Sequence, residues 1–150
     1  MIFTITSPLG HLTISTKIDR ITSVNFGDAK QKSAHLGDES LQKICKEQLH
    51  MYFSGKLKEF DLPLHYVGTP FQMKVWKHLR SIPYGQTMSY QAVAKAIGHP
   101  KAVRAVGTAC KKNPLPILIP CHRVVSSTGK IGEYAGGRLR KAKLHKLESG

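Results

Sequence analysis

The sequence predicts an α+β protein: a small N-terminal antiparallel sheet with one helix, followed by a mostly helical C-terminal domain containing a helix-turn-helix. Three observations predict it. Residues 1–26 alternate β-rich runs with turn signals, the segments after Pro70 show helical spacing with caps, and the charge changes character between the halves. Residues 1–65 carry 8 basic and 7 acidic side chains, a net +1, whereas residues 66–150 carry 15 basic and 2 acidic ones, a net +13. This places an N-terminal α/β domain at 1–65 and a C-terminal domain at 66–150.

Ile2–Thr6, Leu12–Thr16 and Ile21–Phe26 are the β-rich runs, separated by Ser7-Pro8-Leu9-Gly10 and by Lys17–Arg20. From Ser40 to Phe53 the positions Leu41, Ile44, Cys45, Gln48 and Tyr52 suit a helix packed on that sheet, with Cys45 a buried thiol on its apolar stripe. Gly55 to Gly68 reads as a linker. A helix is predicted over Pro70–Ile82, with proline in its first turn and Phe71, Val75, Trp76 and Leu79 on its inner face. Ser89 caps the next, whose apolar face is Tyr90, Val93, Ala94 and Ile97 and which Gly98 ends. After the His99-Pro100 turn, a further helix turns Val103, Val106, Gly107 and Cys110 inward and Lys101, Arg104, Thr108 and Lys111 outward. Two short helices across a tight turn make a helix-turn-helix, and the basic stripe on the second marks it for a polyanion.

Composition narrows the function classes. A hydrophobic share of 41% supports a packed core. No run approaches the roughly 18 apolar residues that a membrane span needs, and MIFTITSPLG lacks the build of a secretory signal. No basic amphipathic helix with a bulky aromatic face suggests membrane-surface binding. Three well-separated cysteines, Cys45, Cys110 and Cys121, argue against a disulfide framework and for a reducing, cytoplasmic setting. Neither CxxC nor HExxH nor a zinc-finger spacing is present, so no metal and no cofactor is expected.

The chemistry gathers near residue 121. Asn113-Pro114 ends the second helix of the motif, and an apolar run with three prolines, read as extended, then delivers Cys121 directly before His122 and Arg123. Cationic and polarising neighbours lower a thiol's pKa, and the thiolate is the reactive species.

From Gly68-Thr69-Pro70-Phe71 to Glu148 the chain resembles the O6-alkylguanine-DNA alkyltransferases. The resemblance rests on SYQ at Ser89–Gln91, RAVG at Arg104–Gly107, Asn113-Pro114, IPCHRV at Ile119–Val124 and G-x-Y-x-G-G at Gly132–Gly137. The first 65 residues are only loosely similar. The resemblance implies repair of duplex DNA by irreversible transfer of an alkyl group from O6 of guanine to the protein's own cysteine, once per molecule. It makes Cys121 the nucleophile, His122 its base through a water, Glu148 the carboxylate that orients His122, and Tyr90 the hydrogen-bond donor to the departing base.

The same resemblance assigns Arg104 to the gap left by a flipped nucleotide. It lays Lys101, Ala102, Ala105, Gly107 and Thr108 along the minor groove, with Arg123 also on the DNA side. Val124, Tyr134, Ala135 and Gly136 would line the guanine pocket, backed by Cys110 and by Asn113 as a hinge. Many relatives carry serine where this chain has Ala135; the role there is a backbone N–H to O6, which alanine keeps. Some relatives bind zinc in the N-terminal domain, but Cys45 is the only cysteine of that segment. A helix-turn-helix regulator is the alternative. It would leave Cys121 idle and would need a dimerisation element, of which the sequence shows none, so a monomer is expected. A cysteine hydrolase fits less well, because no oxyanion-hole motif is evident.

Overall fold

The computed structural model describes residues 1–28 and 39–150, which form two compact units, Met1–Tyr66 and Val67–Gly150. In the first, β1 (Ile2–Ser7), β2 (Gly10–Lys17) and β3 (Arg20–Phe26) make an antiparallel sheet in the order β1-β2-β3. Period-two alternation sends Leu12 and Ile14 of β2 into the core, and Ile21 and Val24 of β3 join them across a skipped residue, Thr22. The pairing of β2 with β3 shifts register at Ser15/Thr16.

Helix α1 (Glu39–Phe53) adds Leu41, Cys45, Leu49 and Tyr52 to that core, spaced for one helical face. Ile44, expected on the inner face, is 44% exposed, because the buried stripe runs through Leu49 instead. Gln48 is turned to the side, where its amide donates to Asp61 O at 3.0 Å and accepts from Asp61 N at 2.8 Å. The stretch read as a linker is partly fastened: Ile21 N donates to Pro63 O and His65 N donates to Ile21 O, both at 2.9 Å.

The second unit begins with α2 (Pro70–Leu79). Thr69 and Gln72 close a capping box, satisfying two of the backbone donors a helix start leaves free. The regular helix stops at Leu79, and the chain reaches the expected Ile82 in tighter turns, with Ser81 N donating to His78 O and Ile82 N to Leu79 O. Trp76 Nε1 donates to Ala109 O at 2.9 Å, tying α2 to the inner side of α4.

β4 (Met88–Ser89) leads into α3 (Tyr90–Ala96), capped by Ser89 Oγ accepting from Ala92 N. Gly98, at φ +83°, supplies the left-handed turn that frees the chain for α4 (Val103–Lys111). The inner face of α4 is Val106, Ala109 and Cys110. Val103, expected inward, is exposed at the first turn and faces a cavity shared with Tyr90 and Arg104.

A short 3-10 turn (Cys121–Arg123) runs into β5 (Val124–Val125), which pairs in parallel with β4. Helix α5 (Arg138–Glu148) completes the unit. Among the described residues no helix is long and apolar enough to cross a membrane.

Candidate active site

The run before Cys121 is not extended. Ile119 N donates back to Leu115 O at 2.8 Å, and Ile117 sits at φ +77°, a conformation that a β-branched side chain seldom adopts. Asn113 imposes the turn from within: its Oδ1 accepts from Leu115 N and its Nδ2 donates to Ile119 O, each at 2.9 Å. A buried amide bonded on both sides of the bend fixes where the next residues emerge. Asn113 thus braces the segment that carries Cys121.

Cys121 opens the 3-10 turn with 2% of its surface exposed. Burial pushes its thiol up to about 11, against the lowering influence of the Asn113 side chain and of Lys141. Burial thus opposes the lowering expected from its neighbours, and a sulfur so placed needs a base before it can serve as a nucleophile. Burial likewise pushes the neighbouring Cys110 thiol up to about 12, and Cys45 in the other unit to about 12.

His122 is fully buried and its Nε2 meets Glu148 Oε2 at 2.7 Å. A carboxylate accepts only, so Nε2 carries the proton and the lone pair lies on Nδ1. Nδ1 is buried and, among the described residues, bonded to no protein group. Burial, outweighing Glu148, holds the imidazole below its usual pKa, hence neutral at pH 7. This is the protonation state a base must have. His145 Nε2 donates to His122 O at 2.5 Å, and Tyr134 stands edge-on to the His122 ring.

Arg123 is corrected from a DNA contact to an internal clamp. It is 8% exposed; its Nε and Nη2 donate to Glu148 Oε1 and Oε2 at 2.9 and 3.1 Å, and its Nη1 donates to Ile82 O at 2.7 Å. The fork binds the carboxylate bidentately and gives it a counter-charge inside the buried site.

Tyr90, at the start of α3, is half-buried and its phenol is pushed up to about 12, chiefly by burial. Sequence reasoning did not single out Lys141. Its Nζ is fully buried and donates to Val124 O at 2.6 Å, to Glu133 O at 3.2 Å and to Tyr90 Oη at 3.4 Å. One amine so joins α5, β5, the 132–136 loop and the pocket tyrosine. The findable signal was the spacing Lys141, Leu144, His145, Glu148, a single helical face turned onto the Cys121–Val124 segment. Gly132 passes so close that a Cβ there would lie 2.8 Å from Tyr90 Oη.

The remaining residues divide by exposure. Lys101, just before α4, and Arg104, Ala105 and Thr108 on it are exposed; Ala102, at its N-cap, and Gly107 are half-exposed. Arg104 lines the same cavity of about 430 Å³ as Tyr90 and Gly107. Val124 and Tyr134 are buried, Gly136 is half-buried and Ala135 is exposed.

Comparison with known proteins agrees over the whole chain. Residues 70–150 match the family model of the 6-O-methylguanine DNA methyltransferase DNA-binding domain, and residues 3–66 match that of its ribonuclease-like domain. The constitutive methylated-DNA–protein-cysteine methyltransferase of Bacillus subtilis (strain 168) is 45% identical, over 95% of this chain and 91% of its own. A Methanosarcina acetivorans protein of the same name is 42% identical, over 95% and 94%. The Mycobacterium tuberculosis OGT solved in complex with DNA superposes with a TM-score of 0.89 at 42% identity, over 97% of this chain and 91% of that one. The chain belongs to the 6-O-methylguanine DNA methyltransferase family.

Proposed function

We propose that Cys121 is the acceptor through which this protein, a methylated-DNA–protein-cysteine methyltransferase, repairs DNA. The supporting observation is the buried chain from Cys121 to His122 to Glu148 to Arg123, set beneath Tyr90 and Lys141 and next to a basic helix. A water joining His122 Nδ1 to the thiol lets the imidazole draw off the sulfur's proton, while Glu148 stabilises the imidazolium that forms. The thiolate forms an S–C bond to the alkyl carbon as the C–O6 bond breaks, and its electrons leave on guanine. Tyr90, hydrogen-bonded by Lys141, meets the departing ring, and the proton lost from sulfur balances the one guanine regains. The product is a thioether with no good leaving group, so each molecule reacts once.

A thiol with 2% exposure cannot reach an atom inside a stacked duplex. The lesion must leave the stack and enter the pocket. Small side chains at Ala102, Ala105 and Gly107 let α4 approach the minor groove closely, and Arg104 fills the vacated position. The protein acts as a monomer on duplex DNA, in the cytoplasm, where reducing conditions keep Cys121 a free thiol.

Arg104→Ala tests the flipping step apart from the chemistry. It removes support for an extruded nucleotide, whose unstacking costs a few kcal/mol, yet leaves the thiol and its base untouched. At saturating O6-methylguanine duplex the single-turnover rate should fall by roughly ten- to a hundredfold, while free O6-benzylguanine reacts nearly normally. If Arg104 were only a phosphate anchor, the saturated rate would be normal.

A further inference from the structure

Residues 67–150 contain two side-chain carboxylates, Glu133 and Glu148. Glu148 is buried in the active site, which leaves Glu133 the sole exposed acid of a strongly basic unit. Its position is specific. The Glu133 carboxylate pairs with Lys111 Nζ at 3.3 Å, both side chains mostly exposed, and Lys111 is the last residue of α4 and part of its basic stripe. The main-chain oxygen of Glu133 faces the other way and accepts from Lys141 Nζ at 3.2 Å and Tyr90 Oη at 3.4 Å. One residue thus fastens the guanine-pocket loop both to the pocket interior and to the helix placed to meet DNA. Both partners line the cavity that Tyr90, Arg104, Gly107 and Thr108 also line, and Cys121 is almost wholly covered.

Building on the repair function, we infer that Glu133 is a selectivity residue: its ion pair with Lys111 latches the pocket loop against free bases, and the DNA backbone releases it. A phosphodiester arriving on α4 acts twice. It offers Lys111 a competing anion, and it repels the Glu133 carboxylate with like charge. A free alkylated base is neutral and does neither, so it meets the latch closed. The latch is weak by construction, because exposed ion pairs are screened and hold little. That suits a contact which must yield whenever DNA binds.

The test compares wild type with Glu133→Gln, which keeps size and backbone bonding and removes only the charge. Cys121 alkylation is followed with free O6-benzylguanine and, separately, with saturating O6-methylguanine duplex. The ratio of the free-base rate to the duplex rate should rise by about two- to fivefold in Glu133→Gln, the range open to an exposed pair. Added potassium chloride supplies a second readout. The wild-type free-base rate should climb with salt towards the variant's as the pair is screened, while the variant's stays flat. An unchanged ratio, or a wild-type free-base rate indifferent to salt, overturns the latch. Failure of the repair reading looks different, since then wild type would not be alkylated on Cys121 by either substrate.

Discussion

Cys121→Ser should stop transfer while the protein still folds and binds DNA. Serine keeps the shape of the turn and loses the sulfur. The hydroxyl is far harder to ionise than a thiol, and even the thiol here is held up at about 11 by burial, so the site relies on His122 to free a nucleophile. The single-turnover rate should drop by roughly four orders of magnitude or more, as when other nucleophiles are removed. Duplex affinity should stay close to wild type, because the basic stripe of α4 is unaltered. Cys45→Ala is the control. Cys45 is buried against the sheet of the other unit, so its loss costs some stability, about 1 kcal/mol or more, and leaves transfer in place. Loss of transfer in Cys45→Ala with retention in Cys121→Ser would move the acceptor to the wrong unit and end this account.

Glu148→Gln should have the next largest effect, and on two quantities at once. The carboxylate accepts from His122 Nε2 and from two nitrogens of Arg123. A neutral amide leaves the buried guanidinium without its counter-charge, and breaking a buried pair from one side costs about 3–5 kcal/mol. Unfolding should therefore come at a lower temperature. The amide can also donate to His122 Nε2, which would place the ring proton on Nδ1 and remove the base. A rate loss of about a hundred- to ten-thousandfold follows, the span of general-base catalysis. Arg123→Met combined with Glu148→Gln separates the effects. Removing the stranded charge should recover much of the stability and none of the rate. Recovery of both together would mean that Glu148 only holds the fold.

The pH dependence has a sign fixed by the same geometry. His122 is held below the ordinary histidine pKa by burial, so it stays neutral through pH 7 and transfer should be level there. Rate should fall only in acid, below the normal histidine range. Stability should fall in the same direction: the unfolded chain takes up a proton that the buried imidazole resists, so the contribution is present above about 6.5 and is lost below it.

Several elements were legible in the sequence because local chemistry alone determines them. Pro70 announces a helix start, Ser89 another, and Gly98 a stop, and each acts through its own local chemistry. The three β-rich runs between turn signals were equally plain. What stayed hidden depends on tertiary partners. A two-residue strand such as β4 carries no periodic signal, yet its pairing with Val124-Val125 sets the reactive segment beside Tyr90. Arg123 was placed on the DNA side and Lys141 was not singled out, and burial is visible for them only once Glu148 and three oxygen acceptors are in place. Ile117 gave no warning of its positive φ, because the side chain that enforces the bend, Asn113, sits four residues earlier. Glu148 itself entered through resemblance. Its 26-residue separation from His122 carries no local pattern, although the helical face it shares with Lys141 does.

The central claim is that Cys121 takes the alkyl group directly and keeps it. The most direct measurement is the intact mass of the protein after incubation with excess O6-methylguanine duplex, followed by peptide mapping. The account predicts a gain of one CH2 group per molecule, located on the peptide containing Cys121, with as many guanines restored as protein molecules consumed. Restored guanine in large excess over protein, or a methyl group found on Cys45 or Cys110 instead, would contradict it.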